Sequence, residues 1–220
     1  AKVALVARVE PFKQGSVGKV SKTRAITCYD VPQHGPIVPR ITADHNIEAL
    51  GTKELSVRYT GYEPAQTFRA IFGVDGAKDM REAVAALDRD FKYGGQNWVI
   101  GDDQGHIGWT ETIRVPRRAK DHAPWKVLPG DGTSEWGPDM DPHYIPHAYD
   151  PAKGFIATAN NDPIGVTDDN DPFFSEPTAP MGAESGPLYL GADYDAGTRV
   201  GRITKRIESA TQSGGKLSLD

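Results

Sequence analysis

The sequence predicts an α+β fold built mainly from antiparallel strands, and three observations carry that expectation. The 220 residues include 24 glycines and 17 prolines, a turn-rich composition that favours many short strands over a helical bundle. Runs of β-branched and aromatic residues recur in pairs around glycine-bearing turns. Two consecutive helical patterns stand between those pairs, and a third closes the chain.

Taken in order, residues 2–9 (Lys-Val-Ala-Leu-Val-Ala-Arg-Val) and 23–29 flank the glycine-bearing stretch 14–19 and read as a hairpin. Gln33-His34-Gly35-Pro36 is a turn, residues 37–41 are extended, and residues 54–59 alternate polar with apolar as a half-buried strand does. A helix is expected over residues 64–72, with Pro64 in its first turn. The next, over 75–91, places Met80, Val84, Leu87 and Phe91 on one face, with Asp75 as N-cap and Gly94-Gly95 as stop. Residues 96–100 and 106–110 form a second hairpin around the turn 101–105.

Residues 116–151 are a long irregular excursion, a length that marks a functional loop. Phe155 to Ala159 has the composition of a buried strand. A second irregular stretch, 173–193, leads to a final helix over 195–211 with Val200, Ile203 and Ile207 as its buried stripe.

Composition narrows the function classes. With 38% hydrophobic and 25% charged residues, the chain reads as a globular protein, and residues 1–220 are treated as a single region. A net charge of -5 leaves no broad basic face for a phosphate backbone, so nucleic acid is excluded as a partner. The one basic cluster, Arg114, Arg117, Arg118 and Lys120, reads as a solvated loop. No stretch approaches the roughly 20 apolar residues of a membrane span, and residues 1–9 are too short and too charged for a signal peptide. Cys28 is the single cysteine, in a strand-like run where a thiol acts as a small buried hydrophobe. His143 and His147 stand four apart, but the intervening Pro146 prevents the helix that would align them as metal ligands.

Chemistry concentrates in residues 154–163 (Gly-Phe-Ile-Ala-Thr-Ala-Asn-Asn-Asp-Pro) and the acidic run 168–172 behind them. Two carboxamides arrive where Asp162-Pro163 forces a turn. A neutral amide there can donate to a developing oxyanion without carrying charge. Asn-Asn-Asp-Pro is equally good turn chemistry, because Asn and Asp bond their own backbone and tolerate left-handed conformations. Spacing leaves both readings open.

The strings Gly-Gln-Asn-Trp-Val (95–99), Gly-His-Ile-Gly-Trp (105–109), Arg-Val-Pro-Arg-Arg (114–118), Leu-Pro-Gly (128–130), Glu-Trp (135–136) and the 154–163 segment stand in a fixed order. That ordered set resembles the penicillin amidase (penicillin acylase) family of N-terminal nucleophile hydrolases, over about residues 23–208. The resemblance implies the four-layer αββα sandwich of those enzymes and hydrolysis of a linear amide in an acylated small molecule. It implies Asn160 as the oxyanion-hole asparagine, and Arg199 as the arginine that orients the nucleophile and oxyanion groups, where a solvated first-turn arginine is the bland alternative.

The resemblance also implies a structural Ca2+ bound by Asp171 and the Pro124 carbonyl, although Asp171 followed by Pro172 reads equally as a helix N-cap. Expected partners are the acyl-amide substrate, the remainder of a large subunit and a small α subunit, in a periplasmic or secreted enzyme. Family members act through an N-terminal Ser, Thr or Cys. This chain begins with Ala1, so it is expected to be an interior portion of the large subunit without the nucleophile. The competing class is a non-catalytic, turn-rich β module that binds a ligand, with or without Ca2+.

Overall fold

The computed structural model describes residues 3–92, 95–120, 122–163, 188–191 and 193–212, in two units, 1–62 and 63–220. In the first unit, strands β1 (Val6–Ser16) and β2 (Lys19–Val31) form the expected hairpin, in register from Val6 opposite Asp30 to Ser16 opposite Lys19, with an irregularity at Gln14/Gly15. The strands run longer than the apolar pattern because Lys, Arg and Thr continue the ladder outward on exposed positions. The turn at 33–36 is present, and β3 (Gly35–Pro36) pairs with Asp30 and Val31. The two strands expected at 37–41 and 54–59 are reduced to isolated bridges, Ile37 opposite Ser56 and Ile41 opposite Ile47. Each segment is extended but finds only a few ladder bonds, such as Val38 N–H to the Leu55 carbonyl at 2.8 Å. Cys28 is half-buried rather than sealed in a core.

The second unit holds two helices against a sheet. Helix α1 is Thr67–Asp75 and α2 is Met80–Asp90. The expected cap Asp75 is instead the last residue of α1. Asp79 takes that role, its side chain accepting from Glu82 N–H at 2.8 Å, while the Glu82 carboxylate reaches back to Lys78 N–H at 3.0 Å. The apolar stripe is as expected: Met80, Val84, Leu87 and Phe91 are all buried.

Strands β4 (Gln96–Gly101), β5 (Ile107–Thr112) and β6 (His147–Tyr149) form an antiparallel sheet in the order β4-β5-β6. β6 lies inside the expected irregular excursion, too short to show a period. On one face Ala70, Leu87 and Phe91 gather with Val74, Trp98 and Ile100, and the Phe91 and Trp98 rings meet edge to face at 5.6 Å. Gly108 permits the close approach of α2, since a Cβ there would lie 2.3 Å from the Met80 sulfur. Thr110 Oγ1 donates to Asp88 Oδ1 at 2.9 Å across the same junction. A second cluster joins Val115, Met140, Ile145 and Leu188.

The excursion also departs from the expected solvated loop. Arg114 donates to Asp139 at 2.7 Å and pairs with Glu63, and Arg118 stacks over the Trp136 ring at 4.7 Å. Long cationic stems bury well when their heads find carboxylates or ring faces. Helix α3 (Thr198–Thr211) closes the described chain. Its apolar positions are not the expected buried stripe, because Ile203 is 39% exposed and α3 buries no residue fully.

Candidate functional site

Two segments separated by more than thirty residues meet at Asn160. The first, residues 154–163, is not the strand its composition suggests. Residues 155–158 are half-buried but irregular, and the bridge that follows is a single parallel one between Asn161 and Asp195. A strand needs a ladder, and among the described residues no neighbouring strand supplies one. Lys153 instead stands over the Phe155 ring at 4.8 Å.

The turn and the site turn out to be divided between the two asparagines. Asn161 does the turn chemistry: its Oδ1 accepts from Ala159 N–H at 3.1 Å and its Nδ2 donates to the Asp162 carbonyl at 3.3 Å. Asn160 sits at φ +57°, a left-handed conformation that asparagine tolerates better than most side chains. That conformation frees its own carboxamide to reach across to the second segment.

The second segment is residues 193–199. Asp195 N–H donates to the Asn160 carbonyl at 2.8 Å. Gly197, at φ +78°, makes the left-handed entry to α3, a conformation glycine takes without a Cβ penalty, and its N–H donates to Asp195 Oδ1 at 3.1 Å. Arg199 follows on the first turn of the helix. Its Nη2 donates to Asn160 Oδ1 at 2.9 Å, and its Nε and Nη2 each reach Asp195 Oδ2 at 3.2 Å.

The two residues singled out from the sequence, Asn160 and Arg199, are therefore in direct contact. A guanidinium has donors only, so this contact assigns Oδ1 to the arginine side and turns Nδ2 outward. Among the described residues none accepts a hydrogen bond from Nδ2, and Asn160 is exposed. The arrangement can present two amide hydrogens to an incoming anion while a cation polarises the far end of the same amide. Asp195 entered the sequence reading only as the start of a helix. Its signal was the acid-to-base spacing of four, Asp195 to Arg199, across a glycine.

Tyr194, the chain neighbour of Asp195, lies near the carboxyl groups of Glu111 and Asp162. Burial pushes the Glu111 carboxyl up to about 7, and its Oε2 is buried without a hydrogen-bond partner among the described residues. Tyr194, next to Asp195, is raised well above the usual phenol range, first by burial and then by the Glu111, Asp162 and Tyr189 charges.

The remaining expectations fall elsewhere. Pro124 lies in a turn closed by Lys126 N–H to the Ala123 carbonyl at 3.0 Å, but Asp171 lies outside the described residues. Among the described residues no three His, Cys, Asp or Glu side chains converge to hold a metal ion. The His143 and His147 rings approach to 6.2 Å without any helix between them, because a 3-10 turn (Pro142–Tyr144) folds His143 back toward β6. Trp109 Nε1 donates to Asn97 Oδ1 at 2.8 Å.

The structure resembles a thermostable penicillin G acylase from Alcaligenes faecalis with a TM-score of 0.63 at 19% identity, covering 93% of this chain and 31% of that one. Its α+β fold is thus shared with part of that acylase. The chain belongs to the penicillin amidase family, whose model matches residues 8–220.

Relatives point the same way. The chain is 29% identical over 176 residues to penicillin acylase 2 proenzyme of Pseudomonas sp. (strain SE83), spanning 80% of this chain and 19% of that protein. It is 36% identical over 67 residues to penicillin G acylase of Escherichia coli, and 29% identical over 137 residues to acyl-homoserine lactone acylase QuiP of Pseudomonas aeruginosa. The chain spans a fifth or less of the length of these relatives. Among the described residues no helix is long and apolar enough to cross a membrane.

Proposed function

We propose that this chain supplies the oxyanion-stabilising part of an amidohydrolase that cleaves the linear amide of an acylated small molecule. One observation carries the reading: the Arg199 guanidinium holds Asn160 Oδ1 at 2.9 Å, leaving the Nδ2 hydrogens of this exposed residue outward. The relatives support the reaction class, being named as acylases of penicillin and of acyl-homoserine lactones.

In this reading an N-terminal Ser, Thr or Cys of the enzyme attacks the substrate carbonyl, and its own α-amine takes the proton. Negative charge then gathers on the carbonyl oxygen, where Asn160 Nδ2 donates to it more strongly than to the neutral ground state. Arg199 carries a full positive charge but touches the amide, not the substrate. It fixes the amide's orientation and draws electron density from Nδ2, strengthening the donor. Collapse of the intermediate expels the amine, and water releases the acyl group from the nucleophile.

The family resemblance supports a small α subunit and the rest of a large subunit as partners, in a periplasmic or secreted enzyme. Asn160→Gly in the full-length protein tests the assignment. Glycine keeps the left-handed backbone unstrained while deleting the amide. Loss of one oxyanion donor costs roughly 10² to 10³ in turnover. The expected result is a fall of that size in kcat on an N-acyl para-nitroanilide, with an unchanged melting temperature. Unchanged turnover would overturn the assignment.

A further inference from the structure

We infer that Asp195 is a positioning residue for the Asn160 carboxamide, an inference that rests on the function just proposed. Asp195 grips Asn160 at both ends. Its backbone N–H holds the Asn160 carbonyl at 2.8 Å, and its carboxylate holds the guanidinium that holds the Asn160 side chain. The contacts close a ring: Asn160 carbonyl, Asp195 backbone, Asp195 carboxylate, Arg199 guanidinium, Asn160 Oδ1.

Each contact in that ring has a separate job. Arg199 is 57% exposed along its side chain, and so long a side chain loses considerable rotamer entropy when held in one place. Alone it would sample many positions around Asn160. Asp195 Oδ2 accepts from both Nε and Nη2, which sets the guanidinium plane and aims the other Nη2 hydrogen at Asn160. Gly197 N–H then pins Oδ1 of the same carboxylate at 3.1 Å, so the anchor cannot itself rotate. With the backbone of Asn160 fixed by Asp195 as well, the carboxamide has neither a free pivot nor a free tip.

The stability value of the pair is small, since an exposed i,i+4 ion pair gains little in solvent. Its effect is therefore expected on turnover and not on folding. Misplacing a reacting group by an ångström can cost roughly 10²-fold. A guanidinium released from its anchor still visits the right position part of the time, so the loss here is on the order of 10-fold.

The test is a double-mutant cycle in the full-length protein, assayed on an N-acyl para-nitroanilide. Asp195→Asn removes the charge pair but keeps the backbone N–H to Asn160. It should lower kcat on the order of 10-fold, with KM and melting temperature nearly unchanged. In an Asn160→Gly background the same substitution should have no further effect, because Asp195 acts through the amide already removed. Asp195→Glu keeps the charge and should recover part of kcat, which also serves if the Asn variant fails to fold.

Wild-type kcat in Asp195→Asn, or equal losses in both backgrounds, would overturn the positioning role. If Asn160→Gly itself left kcat unchanged, the proposed function would fail. If Asn160→Gly were crippled while Asp195→Asn was not, only the present inference would fail.

Discussion

The helix-on-sheet region and the Asn160 junction are held together by opposite means. In the first, Leu87, Phe91 and Ala70 are 7% exposed or less and the joining forces are mainly apolar contact and shape, with the Thr110–Asp88 hydrogen bond beside them. In the second, Asn160 and Arg199 are exposed and every described link is polar: one amide, one carboxylate, one guanidinium and two backbone N–H groups. Packed interiors resist distortion because many small contacts act together. A polar ring at the surface adds little to stability but fixes one donor's direction. Core damage should therefore appear as unfolding, and damage at the junction as lost turnover in a folded protein.

The sharpest way to break that contrast from the core side is Leu87→Ala. Leu87 is fully buried, and truncation of such a leucine costs about 2–5 kcal/mol. Urea unfolding should show that loss, while the folded fraction keeps wild-type turnover. A variant equally stable but slow would mean that the two regions are not separable.

Glu111 sharpens the contrast through pH. Burial raises its carboxyl from 4.5 to about 7 in the folded protein, so the folded form binds its proton more tightly than the unfolded form. Stability from this group is fully present below pH 4.5 and is lost as pH rises through about 7. Glu111→Gln cannot ionise, and above pH 7 it should be more stable than the parent by up to the order of 3 kcal/mol. Melting temperatures of the two proteins should converge toward pH 4 and separate toward pH 8. Parallel curves would show that Glu111 does not ionise in a dry site.

How much of this was legible in the sequence follows the same division. The stripe of α2 was readable because Met80, Val84, Leu87 and Phe91 repeat with the helical period, and the hairpin β1–β2 because its runs flank a glycine turn. Boundaries were not. Asp75 and Asp79 are both plausible caps, and only the length of α1 decides between them. Composition misled at residues 155–158, where an apolar run has no described partner strand, and at Arg114 and Arg118, whose charges found carboxylates and a ring face. Arg118 and Trp136 are distant enough in sequence that no local pattern joins them.

At the site, the resemblance pointed to Asn160 and Arg199, and the turn pattern to residues 160–163. Neither gave the reason they coexist. That reason is conformational: Asn161 completes the turn, Asn160 turns left-handed, and Gly197 allows α3 to start where Arg199 can reach back. Asp195 was legible only as an acid four residues before Arg199; that its carboxylate aims that arginine at Asn160 depends on the left-handed turn at Gly197, which spacing alone does not reveal.

The central claim is that Asn160 acts by donating from Nδ2. Asn160→Asp preserves size and the Oδ1 acceptor for Arg199, but replaces the donor with a carboxylate oxygen. Single-turnover acylation by the full-length variant on an N-acyl para-nitroanilide should fall by roughly 10² to 10³, with a melting temperature within a degree or so of the parent. Acylation at the parent's rate would contradict the claim.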